Sequence, residues 1–267
     1  MPSENARKPG FDATDCSHAV CFNYGGGRQT AAMCILIAKG VLPKPDVITM
    51  ADTSREMPST WKYLGEYTQP LMRSIGLEIE IASHDLATVD THGHNGQLLL
   101  PVYTDTGKFR GYCSGEWKRD VVERHRKRIN GIKSGTLWLG LAFDEKKRWR
   151  RTMGTERHGF RVECPLVDLM LSTADCLKII ADYGWPEPSV SRCWMCPNQR
   201  NDEWRQVRDE EPELFQIACE LDEEEREADD RGGVYLHRSK VPLREADLSG
   251  DESRDTAKQC GLGMCFV

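Results

Sequence analysis

The feature that most constrains this chain lies near its start. A short apolar run at residues 17–24 ends in three consecutive glycines, Gly25, Gly26 and Gly27, and a helix-forming stretch follows at residues 30–39. Strand, glycine turn and helix in that order open an α/β unit. Glycines at the start of a helix leave backbone N–H groups bare, and the helix dipole there favours negative charge, so phosphate is the natural guest. Arg28 and Thr30 add a cationic donor and a hydroxyl. The pattern is neither a Walker A loop nor G-x-G-x-x-G. A plain tight turn is the competing reading of three glycines.

The rest of the chain continues the alternation. Gly40, Pro43 and Pro45 close the first helix. A β-rich run at 46–50, a helical period at 59–75, an alternating strand at 77–82 and a further strand at 136–143 follow. These predict an α/β fold: a mostly parallel, five-stranded-type sheet with helices on both faces, Rossmann-like. Residues 117–130 read as a basic helix with Val121, Val122 and Ile129 on its buried side. Ser172 or Thr173 caps a helix running to Tyr183, and 204–227 reads as one helix. The expected division is a disordered leader at 1–15, a nucleotide-binding domain at 16–165, and a helical, cysteine-rich region at 166–267 ending in a flexible thiol tail.

Charge is unevenly spread. The chain carries a net −6, yet residues 108–161 hold sixteen Lys and Arg against six Asp and Glu. Such a block suits a polyanionic substrate or nucleic acid, with Lys118, Arg119, Arg124 and Arg128 on the basic helix as candidates. A solvated helix face is the alternative. Trp149, set among arginines, is either a base-stacking residue or a core anchor. His92 and His94 sit in a glycine-rich stretch that reads as a solvated loop. No run of about 18 apolar residues offers a membrane span, and the polar N-terminus has no apolar signal core. A cytoplasmic protein without a membrane partner is therefore expected.

Eleven cysteines in a reducing compartment are metal ligands, catalytic thiols or buried hydrophobes more often than disulfides. Cys193-Trp-Met-Cys196-Pro197 has the spacing that puts two thiolates on one metal, and also that of a redox pair. Cys176, on the preceding helix, is a candidate further ligand or an ordinary buried thiol. Zinc and a 4Fe–4S cluster both accept four thiolates, and spacing does not separate them. A thiol on the glycine-rich tail that holds Cys260 and Cys265 can swing onto a bound substrate; cluster ligation or a disulfide between the two are the other readings. Cys16, Cys21, Cys34, Cys164 and Cys219 read as small hydrophobes.

Several of these segments carry a family resemblance. Phe22-Asn-Tyr-Gly-Gly-Gly-Arg-Gln-Thr30 resembles the pyrophosphate loop, Ser-Gly-Gly-x-Asp-Ser, of the PP-loop (adenine nucleotide alpha-hydrolase-like) superfamily. Ala51-Asp-Thr-Ser-Arg-Glu56 resembles the Asp-Thr-Gly-x-Glu segment of its phosphoadenosine phosphosulfate (PAPS) reductase branch. The Tyr-Cys before the basic helix, Cys-Pro-Leu-Val-Asp-Leu, Asp-Cys-Leu, Cys-x-x-Cys-Pro and Asp-Glu-Trp are similar to phage and bacterial PAPS-reductase-like proteins, as is His237-Arg238-Ser239. The likeness runs over about residues 17–267.

The resemblance implies an ATP or PAPS ligand with its phosphates on Gly25, Gly26, Gly27, Arg28, Gln29 and Thr30, with Mg2+ as a candidate companion, and Asp52 and Thr53 lining the ribose or phosphate side. It implies Cys113 as a metal ligand beside Cys176, Cys193 and Cys196, and iron–sulfur ahead of zinc. It sets Arg148, Arg150 and Arg151, after the fourth strand, against the substrate, and makes Cys260 of Cys-Gly-Leu a catalytic thiol. A thioredoxin-like or cysteine-desulfurase donor would serve it, in a host cytoplasm if phage-encoded. Gly25, Gln29 and Thr30 replace the usual Ser, Asp and Ser, and Gly263 stands where a His is expected. The implied activity is sulfur-centred: reduction of a sulfonucleotide, or adenylation and sulfur insertion into a nucleic acid. A zinc-stabilised nucleic-acid-binding module and a non-catalytic nucleotide-binding phage protein are the alternatives.

Overall fold

The computed structural model describes residues 19–83, 90–228 and 233–250. Its centre is a six-stranded sheet built from β1 (Val20–Asn23), β2 (Val47–Ala51), β3 (Ile79–Ala82), β6 (Gly135–Leu139), β7 (Glu156–Arg157) and β8 (Phe160–Glu163), in the order β3-β2-β1-β6-β8-β7. The first five strands of that order run parallel, and β7 closes the edge as an antiparallel partner of β8. The fold is therefore mixed α/β, as the alternating pattern implied.

Both faces of the sheet are buried at its central strands β1, β2 and β6, because parallel strands reached by crossover helices carry apolar side chains on each side. Phe22 and Cys21, successive residues of β1, enter different layers. On one face lies α1 (Arg28–Ala38), buried on nearly every side between the sheet and α7 (Thr173–Asp182), which follows the short α6 (Pro165–Asp168). That position explains its continuous apolar sequence, which is unusual for a surface helix. Beside it runs a helical stretch made of α2 (Pro58–Tyr63), a π-helical turn over Leu64–Thr68, and α3 (Gln69–Ser74). The opposite face holds α4 (Asp120–Arg128), entered through a π-helical turn at Gly115–Arg119, and the aromatic end of α5 (Lys146–Thr152).

A second core forms to one side. It joins Met57, Leu99, Leu100, Val102 and Trp117 to Trp194, Met195, Trp204, Leu236 and Leu243. Its helices are α8 (Asn201–Glu210) and α9 (Pro212–Ala228), and a small sheet sits over it, made of β4 (Tyr103–Thr104), β5 (Gly107–Lys108) and β9 (Val234–Tyr235).

Three expectations need correction. The division at residue 165 cuts through the first core, since α7 packs on α1 and Cys176 and Ile180 belong with Phe22 and Ile35. The helix expected over 204–227 is two helices, because Pro212 lacks the N–H to continue α8 and opens α9 instead. On α4 the buried set is Val121, Val122 and Arg126, while Ile129 is 70% exposed. Val122 and Arg126 are one turn apart on the same face, whereas Ile129 falls beyond the helix end. The leader, with Cys16, and the tail, with Cys260 and Cys265, lie outside the described residues.

Candidate functional site

A cavity of about 850 Å3 opens at the C-terminal ends of β1, β2 and β6. The chain leaves β1 for β2 on one side, and β6 flanks β1 on the other, so the sheet order reverses here. Such a switch point leaves a crevice between diverging connections, which is where open α/β sheets hold their ligands. The volume falls in the range of small-molecule sites.

The glycine turn forms one wall. Gly27 is the N-cap of α1, with φ −101° and ψ −177°, and no side chain caps it. The Thr30 hydroxyl donates to the Gly27 carbonyl at 3.0 Å and so leaves the N–H groups alone. The first N–H groups of a helix have no partner within it, and Gly27, Arg28, Gln29 and Thr30 all line the cavity. Gly25 lines it too, and a Cβ there would meet nothing within 4 Å. Gly26 is the exception within the glycine loop. It sits at φ +74°, and a Cβ would lie 2.5 Å from Thr60 Cγ2, so glycine is required there for the turn and for close packing. Gly140, just after β6, is constrained by packing alone, its Cβ position being 2.6 Å from Thr30 Cγ2.

Asp52 and Thr53 do not reach the cavity. The Asp52 carboxylate accepts the Ser54 N–H at 2.7 Å, supporting a tight turn in which Ser54 has φ +55°, and Thr53 is fully buried. The wall on this side is formed instead by Thr49, Met50 and Ala51 of β2 and by Glu56 after it. Glu56 is buried and paired with Lys118, which also lines the cavity. Burial works against the Lys118 ammonium, but Glu56 and the thiols of Cys193 and Cys196 hold its pKa above the ordinary lysine value. Ser191 ties this pair to the glycine turn: its hydroxyl lies 2.5 Å from the Gly25 carbonyl, to which it donates, and 3.4 Å from Glu56 Oε2.

The cavity is rich in cations, several of them already matched. Arg28 is paired with Glu187 at 2.5 Å, Arg148 with Glu145, and Arg200 with Asp202 at 2.6 Å. Lys146, Lys147 and Arg151 also line it and have no ion pair among the described residues. Gln29 donates to Glu145 at 3.4 Å. A carboxylate thus lies beside that position, supplied by the loop after β6.

Of the other predicted polyanion contacts, Arg119 pairs with Asp120, Arg124 and Arg128 lie on the exposed side of α4, and Arg150 leans on the Trp149 ring. None of these four lines the cavity. Trp149 stacks on Phe143 and donates to the Phe143 carbonyl, so it is a core anchor. His92, in its loop, faces Glu225 of α9 at 3.4 Å.

The cysteines divide into two sets. Burial pushes the Cys193 thiol up; Glu56, Cys196 and Cys113 push the same way and Lys118 opposes them, so these three thiols share one neighbourhood. The turn that holds them is well fixed, with Trp194 N–H donating to Arg55 O at 2.9 Å, Met57 N–H to Arg192 O at 3.1 Å, and Arg192 clamped by Glu203 and Gln206. Cys176 is elsewhere, in the α1–α7 core, with its pKa pushed up to about 12 by burial, then by Asp144, Asp175 and Glu145. The side of α7 that packs on α1 claimed it. Among the described residues no group of three or more His, Cys, Asp or Glu is gathered closely enough to hold a metal ion. The described thiols therefore do not complete a cluster or zinc site.

Sequence reasoning missed Asn23, Lys146, Lys147, Ser191 and Arg200 as cavity residues. Lys146 and Lys147 belong to the same basic run as Arg148 and Arg151, so the local charge was their signal. Ser191 and Arg200 carry no motif.

No protein-family model matches the chain, and no curated protein matches it. Among solved structures it is similar to the phosphoadenylyl-sulfate (PAPS) reductase from Candida auris in a phosphate complex, with 16% identity over 63% of this chain and 74% of that one, at a TM-score of 0.43. It is also similar to the U34-tRNA thiolase NcsA from Methanococcus maripaludis, solved with its 4Fe–4S cluster, with 10% identity over 91% of this chain and 80% of that one, at a TM-score of 0.42.

Proposed function

We propose that the protein is an adenine-nucleotide-binding enzyme of the PAPS-reductase-like, PP-loop type that carries out sulfur-centred chemistry. One observation carries the nucleotide part: the uncapped start of α1 opens, through glycines without side chains, onto a cavity at the switch point of a parallel sheet. A helix start whose donors are left for a guest, in a wall that also holds Lys146, Lys147 and Arg151, suits a phosphate chain. The rival reading, in which the glycine turn is only structural, expects Gly25 and Gly27 to be packed shut. Open space beside Gly25 speaks against it.

In this reading Gly25, Gly27, Arg28, Gln29 and Thr30 hold the phosphates, and the basic side chains after β6 neutralise their charge. The reaction is reduction of a sulfonucleotide, or adenylation followed by sulfur insertion into a nucleic acid, with Cys260 or Cys265 as the reacting thiol. No step is assigned to a metal group, because the described thiols do not close a site for one. Isothermal titration with ATP, PAPS and adenosine tests the nucleotide part. ATP or PAPS is expected to bind at least tenfold more tightly than adenosine; equal affinities would remove the phosphate role. Release of sulfite from PAPS with a dithiol reductant, against formation of pyrophosphate from ATP with nucleic acid and of AMP once a sulfide donor displaces it, separates the two chemistries.

A further inference from the structure

Behind the cavity floor lies a charged group that the nucleotide reading does not use. Arg126 is 4% exposed, on the face of α4 that crosses the sheet, with its guanidinium carbon 4.6 Å from the centroid of the Phe160 ring. Its Nη1 donates to Asn23 Oδ1 at 3.0 Å, its Nε has no hydrogen-bond partner, and no ion pair holds it among the described residues. Burial pulls its pKa below the ordinary arginine value, with Cys21 and Glu123 acting in the opposite direction. A buried cation without a carboxylate is costly to keep, and it does not arise from amphipathic patterning.

Asn23 is the last residue of β1, lies just before the glycine turn, and lines the cavity. Arginine has donors only, so the amide oxygen of Asn23 must face Arg126 and the amide NH2 must turn away from it. We infer that Asn23 is a hydrogen-bond donor to an anionic oxygen of the bound ligand, and that Arg126 is the positioning residue that fixes the amide in that sense. The guanidinium also places a positive charge behind the amide, and a ligand anion on the far side of Asn23 would compensate it. The inference rests on the nucleotide reading and names one further subsite within it.

The test uses the full chain and titration with ATP, PAPS and adenosine. Asn23→Asp gives Arg126 a carboxylate partner and removes the donor. It is expected to melt at or above the wild-type temperature and to bind ATP and PAPS at least tenfold more weakly. Asn23→Ala is expected to weaken both anionic nucleotides while leaving adenosine within twofold. Arg126→Met, which frees the amide to flip, is expected to do the same, with Arg126→Lys intermediate. Binding of ATP and PAPS by Asn23→Asp within twofold of wild type overturns the inference and leaves the nucleotide reading standing. Equal loss of adenosine and ATP affinity in Arg126→Met reduces Arg126 to a packing residue and overturns it as well. A wild type that binds neither ATP nor PAPS removes both.

Discussion

Replacing Gly27 by aspartate should move stability and ligand affinity in opposite directions. Gly27 already has the extended backbone of an N-cap, and a Cβ there would meet only Ser191 Cβ, at 3.7 Å. An Asp side chain at that position accepts the N–H groups that α1 leaves open. Relative to glycine the cap contributes a few tenths of a kcal/mol, and a carboxylate at the positive end of the helix adds about 0.3–1 kcal/mol. The sum is about 0.5–1.3 kcal/mol, or roughly 1–5 °C in melting temperature for a chain of this size. The same carboxylate occupies the donors meant for phosphate and brings a like charge within about 4 Å of it, a repulsion of about 4 kcal/mol at an effective dielectric of 20. Affinity for ATP should fall by at least tenfold. Gly27→Asn caps the helix without the charge and should gain less stability and lose less affinity. Thermal melting of the free protein and titration with ATP supply the two readings. A Gly27→Asp variant that melts below the wild type, or binds ATP equally, would show that the start of α1 is not an open anion site.

Lys118→Met leaves the Glu56 carboxylate buried without its partner and should cost about 3 kcal/mol; adding Glu56→Gln should recover part of that loss in urea denaturation, and strict additivity would show that the two are not coupled. Burial, aided by the Arg238 charge, holds the His237 imidazole below its ordinary pKa. The unfolded chain therefore takes up the proton first on acidification. This contribution to stability is complete above about pH 6.5 and is lost as pH falls through the lower folded value. The urea midpoint should drop between pH 7 and pH 5, and drop less in His237→Gln; an equal drop would mean that the buried His237–Asn201 contact does not titrate. Burial pushes Cys176 and Cys164 up to about 12 and Cys21 and Cys219 up to about 11. Iodoacetamide at pH 8 should label these four only after denaturation, and native labelling of Cys176 at the rate of Cys196 would contradict its place in the α1–α7 core.

Where the chain obeys one dominant physical rule, its sequence was readable. The runs that became β1, β2 and β6 are apolar on both sides because both faces of the sheet are covered there, β3 alternates because it is an edge strand, and their limits were read to within a few residues. β8 was not foreseen: Phe160-Arg-Val-Glu163 is short and half polar, and it leaves Arg161 exposed. The glycine turn was legible because three glycines before a helix have few structural uses. Asp52 and Thr53 were misplaced because a motif marks a strand end but not which way its side chains turn. The local Asx turn at Ser54 decided that. Arg126 was hidden by its company, since a cation among five other basic residues gives no sign of being the buried one. Cys176 followed the helix face it shares with Ile180, a face that exists only once α1 is beside it.

The sheet and its glycine turn are finished by Glu163, but the vessel they belong to is not. Its last wall, with Val190, Ser191, Arg200 and Glu203, hangs from the second core, whose apolar residues come from position 57, from 99–117 and from 194–248. A nascent chain would thus own the turn long before it owned an enclosure. The Trp204 N–H donates to the Arg200 carbonyl at 2.9 Å, but its ring is fully buried in that core and lines no part of the cavity. Hollowing its place would nonetheless loosen the wall, so tenancy of the vessel reports on whether the far end of the chain has been laid down.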